Sequence, residues 1–360
     1  CAGATKASSR HSRLQHGEVM QIRIIGVFLA GAFLFASITA ASAQTAQEQG
    51  NQNNPAAEKG SFSILFENDI LYNSDHDYTN GVEFSYTTAP DDSPRWVVDT
   101  ARALPFFNQT GDVRTRFALG QNMYTPHDLS LSDPPLTDRP YAGFLYGAIG
   151  LADDTGTKLD QLQIMLGVVG PDSQAEETQK FVHSIFNDRK PEGWATQLHN
   201  EPGLVIEYNR SIKLIPPQSF FGAVFDVEPN YGAAIGNVYD YASLGAVARL
   251  GFNLPKDYGP MRIEPSLPGS DYFEPTAGLG AYIFAGVDGR AIARNLFLDG
   301  NSFERSRSVD KMNLVGDLIL GAAVTFDSFR LAFTHDIRTR EYKTQPADDQ
   351  FGAVDLTFRF

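Results

Sequence analysis

A two-residue alternation of apolar and polar side chains recurs from Ser61 to Phe360 and constrains the fold more than any other feature of this sequence. Successive side chains of a β-strand point to opposite faces, so this period predicts strands with one apolar and one polar face. The same pattern occurs at 82–87, 161–168 and 329–334. In the final segment, Val354, Leu356, Phe358 and Phe360 alternate with Ala353, Asp355, Thr357 and Arg359.

Thirteen segments have the composition and spacing of such strands. They are 61–69, 80–88, 115–123, 142–152, 158–169, 201–213, 219–232, 238–252, 274–287, 290–298, 312–326, 328–338 and 351–360. A bacterial membrane barrel whose two termini lie on the same side has an even number of strands. We therefore expect twelve strands, with one of the segments between 201 and 298 wrong or two of them merged.

Residues 20–43 have the features of a cleavable signal peptide. Arg23 supplies positive charge, 24–36 form an apolar core, and 41–43 (Ala-Ser-Ala) provide a small-residue cleavage site. The alternative is an uncleaved membrane anchor, but the apolar run is short for a bilayer span. The sequence therefore predicts export.

Two polar stretches flank the signal peptide. We interpret 1–19 as an upstream extension or a fragment end, and 44–60 as a flexible periplasmic leader, because its apolar content is low. The only cysteine is Cys1, which precedes the predicted cleavage site. The mature chain is therefore expected to contain no disulfide, no zinc thiolate site and no thiol nucleophile.

A soluble β-sandwich also has alternating strands, but four observations favour a transmembrane barrel. The chain is expected to be exported, and its strands are long enough to cross a bilayer at a tilt. Charged residues such as Asp355 and Arg359 fall on the polar phase, which would face the lumen. Phe360 continues the apolar phase, which resembles the C-terminal signature of outer-membrane proteins. We expect an all-β, antiparallel, up-and-down β-barrel over residues 61–360, in the outer membrane of a bacterium.

Charge and hydropathy argue against two other classes of protein. The formal net charge is -14, whereas a nucleic-acid-binding surface must be basic to neutralise phosphates. The mean hydropathy of -0.24, with one long apolar run, is too low for a helical membrane protein. We therefore expect no nucleic-acid partner.

The order of the strands assigns their connections to two sides of the membrane. If 61–69 runs outward from the periplasm, then 70–79, 124–141 and 170–200 are external loops. The longest of these contains a predicted short helix within 174–187, with an apolar stripe at Ala175, Val182, Ile185 and Phe186. Ser173 and Glu176 form an S-x-x-E capping box at its start.

Three polar clusters map to this external side. They comprise 67–69 with 77–81, then 120–126 with 138–143, and 170–173 with Gln179, His183 and 193–202. Taken singly, each cluster has an ordinary structural explanation, because Asn and Asp form turns and Tyr and Trp collect at membrane interfaces.

Together, the clusters resemble one family, the lipid A 3′-O-deacylases of the outer membrane. The resemblance covers roughly 61–360 and is strongest over 64–202. The stretches that carry it are FENDILYNSDHDYTNG, GQNMYTP, DRPYAGFLYG, GPDSQAEETQKFVHSIF and GWATQLHNEP. Several ordered motifs in an exported barrel make a more specific match than any one of them.

The resemblance implies a calcium-dependent esterase that removes the 3′-linked acyloxyacyl group of lipid A at the outer leaflet. Its site would lie between the barrel wall and the helix of an external loop. Carried over by motif, the functional positions are Asn68, Asp69, Thr79 and His183. His183 would be the general base on water, because imidazole can accept a proton near neutral pH. Ca²⁺, with Asp69 as its best candidate ligand, would stabilise the ester oxyanion.

Residue types suggest further contributors to this site. Gln179 and His183 are four residues apart and so share a helix face, which lets Gln179 orient the imidazole or contact substrate. The planar guanidinium of Arg139 suits a lipid A phosphate. Glu201 and Glu67 are additional candidate metal ligands. The expected partners are lipid A, as part of lipopolysaccharide, and outer-membrane lipid, and we expect a monomer with its active site facing the extracellular side.

Two alternative functions stay open at this point. One is an outer-membrane phospholipase that uses a Ser-His pair, with Ser173 ten residues before His183, although no G-x-S-x-G turn is present. The other is a non-catalytic pore or surface-binding barrel, although bulky side chains would leave a twelve-stranded lumen narrow.

Overall fold

The computed structural model describes residues 59–68, 77–186, 191–263, 265–266, 268–276 and 278–360, without the side chains of 77–79 and 185–186. The predicted upstream extension (1–19) and signal peptide (20–43) lie outside the described residues, as does nearly all of the predicted leader (44–60).

Within these residues the chain forms thirteen strands and three α-helices. The strands are β1 (Ser61–Asn68), β2 (Asp77–Thr87), β3 (Asp112–Thr125), β4 (Ala142–Asp154), β5 (Lys158–Val169), β6 (Glu201–Ile212), β7 (Ile215–Phe220), β8 (Ala223–Gly236), β9 (Tyr239–Phe252), β10 (Leu279–Asn295), β11 (Leu314–Phe326), β12 (Phe329–Arg338) and β13 (Asp349–Arg359). The helices are α1 (Arg95–Ala103), α2 (Ala175–Phe186) and α3 (Leu296–Asp299).

No helix in the described part of the chain is long and apolar enough to cross a membrane.

The strands close into a ring of twelve antiparallel strands, which confirms the predicted up-and-down barrel. β1 pairs with β13, from Ser61↔Arg359 to Asn68↔Gly352. β6 pairs with β8, which closes the ring, while the short β7 pairs with β8 alone. We call the end where β1 begins and β13 ends the terminal end, and the other the opposite end.

The odd number of predicted segments has one cause, which lies between 201 and 298. The segments 274–287 and 290–298 are one strand, the 17-residue β10, so two predicted strands merge. β7 was not predicted, because it follows β6 after a break of two residues and lies outside the ring. Phe221 and Gly222 both have positive φ and form the turn into β8, so the strand predicted at 219 starts at Ala223.

The two faces of the wall follow the predicted alternation. In β13, Asp355 and Thr357 are buried in the lumen, whereas Phe360 beyond its end is exposed on the outer face. Exposed apolar side chains cover the outer face of most strands, including Leu119, Leu166, Leu244, Ile283, Leu320 and Phe333. This apolar outer surface is the face that a membrane-spanning barrel presents to lipid.

The connection between β9 and β10, which we call the lumen segment (253–278), enters the barrel. At the terminal end, the hydroxyl of Ser61 donates to the carbonyl oxygen of Asp271 at 2.7 Å. Farther along, the amide of Ile263 donates to Oε1 of Glu67 at 2.9 Å. Ser61 and Glu67 lie near the two ends of β1, so the lumen segment extends along most of the barrel.

Ion pairs bind the lumen segment to the wall. Arg116 on β3 bonds Asp271 at 2.8 Å, and Arg330 on β12 bonds Asp257 at 2.8 Å. Arg249 on β9 also pairs with Asp257. All of these side chains are buried, and buried charges are tolerated only when they are paired in this way. The lumen is therefore a packed polar core.

A second connection, between β2 and β3, lies on the outer face at the terminal end. Phe107, just after α1, packs with Leu162 of the outer wall, and the ring of Phe106 meets that of Tyr208 at 5.2 Å. Trp96 of α1 is 59% exposed. We call residues 95–107, which comprise α1 and the residues after it up to Phe107, the outer collar.

Candidate active site

The candidate site begins with a row of four residues across the outer face of the wall, near the opposite end. Asn68 pairs with Asn80, Asn80 with Met123, and Met123 with Gly143. Directly paired residues point to the same face, and Asn68 continues the outward phase of Phe62, Ile64 and Phe66. We call these four residues the outer row.

Unlike the apolar side chains below it, the outer row is buried. Asn68 and Asn80 are only 4% exposed and Met123 only 1%. Met123 packs with Leu129, Tyr141, Ala175 and Trp194 from the two long connections at this end. These connections therefore fold against the outside of the wall and create a sheltered polar position in an otherwise apolar surface.

Thr79 lies where the β2–β3 register shifts. Tyr78 pairs with Tyr124 and Asn80 with Met123, so Thr79 is an extra residue in β2, and its side chain is outside the described part. Such bulges re-aim side chains and are frequent beside active sites. Asp69, predicted as a catalytic residue and calcium ligand, lies outside the described residues, so its placement is not tested.

Gly143 lets α2 approach the wall. A Cβ there would lie 2.3 Å from Cβ of Ala175 and 2.2 Å from the hydroxyl of Ser173, so a side chain would displace the start of α2. On the same face, Gln121 donates to the carbonyl oxygen of Ser173 at 2.6 Å. The start of α2 is thus fixed to β3 and β4.

The helix itself was predicted within 174–187 and occupies Ala175–Phe186, but its predicted capping box is wrong. Ser173 belongs to a separate 3-10 turn, and its hydroxyl donates to the carbonyl oxygen of Gly170 at 2.6 Å. Gln174, in the left-handed region at φ 58°, separates that turn from α2. The carbonyl oxygen of Gly170 thus satisfies the Ser173 hydroxyl within its own turn, and the S-x-x-E spacing alone could not reveal this hydrogen bond.

Gln179 lies in the first half of α2 and is 2% exposed. Its Oε1 accepts a hydrogen bond from the indole N–H of Trp194 at 2.7 Å. The Trp194 ring lies 4.9 Å from that of Tyr141, centroid to centroid. Gln179 is therefore part of the packed contact between α2 and the wall.

His183 follows Gln179 by one turn of α2, and its side chain is 2% exposed. The chain divides into two compact units, and the barrel unit comprises Glu58–Phe181 and Arg189–Phe360. His183 belongs to the other unit, whose described residues include Val182–Phe186. Its shared face with Gln179 follows from helix geometry, while its role as a base stays a prediction.

Arg139, predicted to bind a lipid phosphate, is fully buried at the opposite end of the barrel. Its guanidinium bonds Oε2 of Glu341 at 3.1 Å and lies 4.9 Å from the ring centre of Tyr124. Tyr124 in turn shares a hydrogen bond with Tyr239 at 2.6 Å. The structure thus places Arg139 among loop and wall residues, apart from the outer row.

Glu201, a predicted metal ligand, stands at the start of β6 with both oxygens engaged. Oε1 accepts from Asn237 at 2.9 Å and from the hydroxyl of Ser302 at 2.7 Å. Oε2 accepts from Asn301 at 2.9 Å and from the Ser302 amide at 2.7 Å. The other metal candidate, Glu67, faces the lumen and accepts from the lumen segment. No group of three His, Cys, Asp or Glu side chains in the described part could hold a metal ion.

Sequence reasoning missed the roles of Gly143, Tyr141 and Trp194. All three lie within the stretches DRPYAGFLYG and GWATQLHNEP, which carry the family resemblance. Their spacing gives no hint that a glycine from β4, a tyrosine beside it and a tryptophan some fifty positions later meet α2. The one signal available in the sequence was Gly193, beside Trp194. In the structure a Cβ at Gly193 would lie 2.4 Å from the Tyr141 ring.

Comparisons with known proteins agree with this architecture. A family model described as Outer membrane protein LpxR matches residues 28–360. Among solved structures, the chain is similar to LpxR from Salmonella typhimurium, with a TM-score of 0.67 and 22% identity, covering 83% of this chain and 100% of that one. The β-domain of the Bordetella autotransporter BrkA matches with a TM-score of 0.40 and 8% identity, over 84% of this chain and 100% of that one. A comparison with curated proteins gives no match.

Proposed function

Because the chain belongs to the outer membrane protein LpxR family, we propose that it is a calcium-dependent lipid A deacylase that hydrolyses the 3′-linked acyloxyacyl ester. The observation that carries this proposal is the buried outer row, where Asn68 and Asn80 place polar groups on the outside of the wall. The outer face of the wall is the one that a membrane-spanning barrel turns toward lipid, which suits a substrate carried in the surrounding leaflet.

The proposed reaction is hydrolysis by an activated water. His183 accepts a proton from water, whose oxygen attacks the ester carbonyl carbon. The bond between that carbon and the sugar oxygen breaks, the sugar hydroxyl takes up the proton, and the fatty acid is released. Asn68 and Thr79 position the water or the ester carbonyl. No serine nucleophile is required.

The residue types in this region suit calcium. Asp69 and the amide oxygen of Asn68 are hard oxygen donors of the kind that Ca²⁺ prefers. When bound, Ca²⁺ supplies positive charge opposite the oxygen that becomes negative during ester hydrolysis. Glu201 stays a candidate ligand only if it exchanges some of its four hydrogen bonds for the metal.

We place the opposite end at the cell exterior, with lipid A of lipopolysaccharide as substrate and the barrel acting as a monomer. A phosphate role for Arg139 would require its pair with Glu341 to open. We therefore expect Arg139 to act mainly by holding its loop in place, and any phosphate contact to come from a different side chain.

The two alternative functions lose support. Ser173 is fully buried, with its hydroxyl engaged by Gly170, which does not suit a nucleophile. A pore needs an open lumen, whereas the lumen segment is bonded to strands on several sides of the barrel.

Mass spectrometry of lipid A tests the proposed function. We expect expression of the chain in a strain with intact lipid A to remove the mass of the 3′ acyl pair, and calcium chelation to prevent this. His183→Ala should leave the spectrum unchanged. His199→Ala is the matched control, because that side chain is about half exposed at the same end and bonds Glu304. An unchanged spectrum from a correctly inserted wild-type barrel would sink the proposal, and release of lysophospholipid would favour the phospholipase.

A further inference from the structure

Gln179 and Trp194 form a buried hydrogen bond between α2 and the turn that follows it. The indole N–H donates to Oε1 of Gln179 at 2.7 Å, and both side chains are almost fully buried. An indole N–H is a donor only, so it must meet the oxygen of the amide and cannot meet its nitrogen. Trp194 therefore fixes the orientation of the Gln179 amide, with the amide oxygen toward the indole.

The fixed amide turns its nitrogen away from Trp194. Nε2 is buried and has no hydrogen-bond partner among the described residues. A buried amide nitrogen without an acceptor costs free energy, and in a native protein it calls for an acceptor from water, an ion or a ligand. Nε2 therefore offers its N–H groups to an oxygen that the described protein does not supply.

Trp194 is itself held on several sides, so it can impose this orientation. Its ring packs on that of Tyr141, which is fully buried. Gly193 lies so close to the same ring that a Cβ would be 2.4 Å from it. The amide of Leu198 donates to the carbonyl oxygen of Tyr141 at 2.9 Å, which joins the turn after Trp194 to the start of β4.

We propose that Trp194 is a positioning residue that holds the Gln179 amide so that Nε2 donates a hydrogen bond to the ester carbonyl oxygen of the substrate. The inference rests on the proposed function, because it requires an ester substrate. Gln179 precedes His183 by one helical turn, so both side chains lie on one face of α2. A donor aimed at this oxygen binds more strongly as the oxygen gains negative charge, so its loss lowers kcat more than it changes KM.

Two substitutions separate this role from simple packing. Trp194→Phe keeps an aromatic ring and removes the N–H, while Gln179→Met keeps the chain length and removes the donor. We expect kcat to fall about 10-fold for Trp194→Phe and about 100-fold for Gln179→Met, with KM within about 2-fold. The double variant should be no slower than Gln179→Met, because Trp194 acts only through that amide.

Trp96→Phe is the matched control, since Trp96 is exposed on α1 at the far end of the barrel. It should leave kcat and KM unchanged. Each variant is assayed only after its unheated form shows the faster gel mobility of a folded barrel. Wild-type kcat in Trp194→Phe, or effects that multiply in the double variant, would overturn the inference.

A spectroscopic readout distinguishes failure of the inference from failure of the proposed function. The chain has two tryptophans, so it gives two indole N–H signals in a ¹⁵N–¹H spectrum. The Trp194 signal should exchange slowly with solvent, shift in Gln179→Met and stay in place in Trp96→Phe. If wild type deacylates lipid A but this signature is missing, the inference fails. If the signature is present but wild type releases no acyl chain, the proposed function fails, and the ester assignment of Nε2 fails with it.

Discussion

At the scale of single residues, Glu201 shows how one buried carboxylate joins separate parts of the chain. Its two oxygens collect four hydrogen bonds from Asn237, Asn301 and Ser302, in the β8–β9 turn and the β10–β11 connection. Hydrogen bonds to a charged acceptor are worth more than neutral ones. Glu201 therefore ties two connections to the start of β6.

Glu201→Gln tests whether this residue is a structural tie or a metal ligand. The amide NH2 group would replace an oxygen that accepts two hydrogen bonds. We therefore expect the free energy of unfolding to fall by about 1–3 kcal/mol, measured by urea titration of the folded barrel in detergent. The calcium concentration for half-maximal activity should not change if Glu201 is only a tie. A raised calcium requirement would instead support the predicted metal role. Glu304→Gln, about half exposed at the same end, is the control.

At the scale of elements, α2 can begin close to the wall because Gly143 has no side chain. The Ser173 hydroxyl and Ala175 Cβ occupy the space that a Cβ of residue 143 would need. Packed interiors transmit such overlaps as displacement, because they contain few voids. The position of α2, and hence of Gln179, therefore depends in part on this contact.

Gly143→Ala should therefore reduce deacylation while the barrel still folds. A shift of about 1 Å in a catalytic group can cost about 100-fold in rate, and we expect a loss of about 10- to 100-fold in kcat. Gly147→Ala is the control, because it lies on the same face of β4 and its Cβ would meet no atom closer than 3.9 Å. Equal activity in the two variants would contradict the packing argument.

The outer collar is the second element with a testable position. Its Phe106 and Phe107 cover the outer wall at Tyr208 and Leu162, while Trp96 remains exposed. Amphipathic helices with exposed aromatic residues lie in the membrane interface. In vesicles of brominated phospholipid, we expect the fluorescence of Trp96, measured in Trp194→Phe, to be quenched strongly. Trp194, measured in Trp96→Phe, should be quenched little, and the reverse ranking would contradict this placement.

At the scale of the whole molecule, the lumen segment pairs with buried charges on several strands. Arg116, Arg249 and Arg330 belong to three different strands and share the carboxylates of Asp257 and Asp271. Removing one partner from a buried ion pair costs about 3–5 kcal/mol. The segment and the wall therefore stabilise each other.

The lumen segment can be replaced by a short turn, because Lys256 and Glu274 pair directly across its base. We expect wild type to give no conductance steps in planar bilayers. Replacing 257–273 with a short Gly-Ser turn should produce conducting barrels that unfold at lower urea concentration, because Arg116, Arg249 and Arg330 each lose one carboxylate partner. Equal conductance before and after the replacement would show that the segment does not block the lumen.

Alternation predicted the wall well, because it reports directly which side chains face the core. The faces of β2, β5, β12 and β13 followed from it, and the even number that a membrane barrel requires gave the total of twelve strands. The segment 253–278 has no such period, since its contacts with Ser61, Arg116 and Arg330 join residues far apart in sequence. A period of two cannot predict a chain segment that is buried on all sides.

The same limit applies to the candidate site. The helix that carries Gln179 followed from its local pattern, whereas the roles of Asn68, Gln179 and His183 stay predictions. The capping box at Ser173 did not hold, because the carbonyl oxygen of Gly170 engages that hydroxyl. The pair between Arg139 and Glu341 joins residues far apart in sequence, so no local pattern could predict it. Local patterns place residues on a face, but they do not identify the partner on the other side.

The filled lumen also bears on how many copies of this protein a membrane can hold. A barrel with an open channel admits small solutes, so each added copy makes the envelope leakier. Here the wall encloses the lumen segment, and the candidate site lies on the outside of the wall. A barrel with a filled lumen adds no such path, so its abundance can rise or fall without making the envelope leakier.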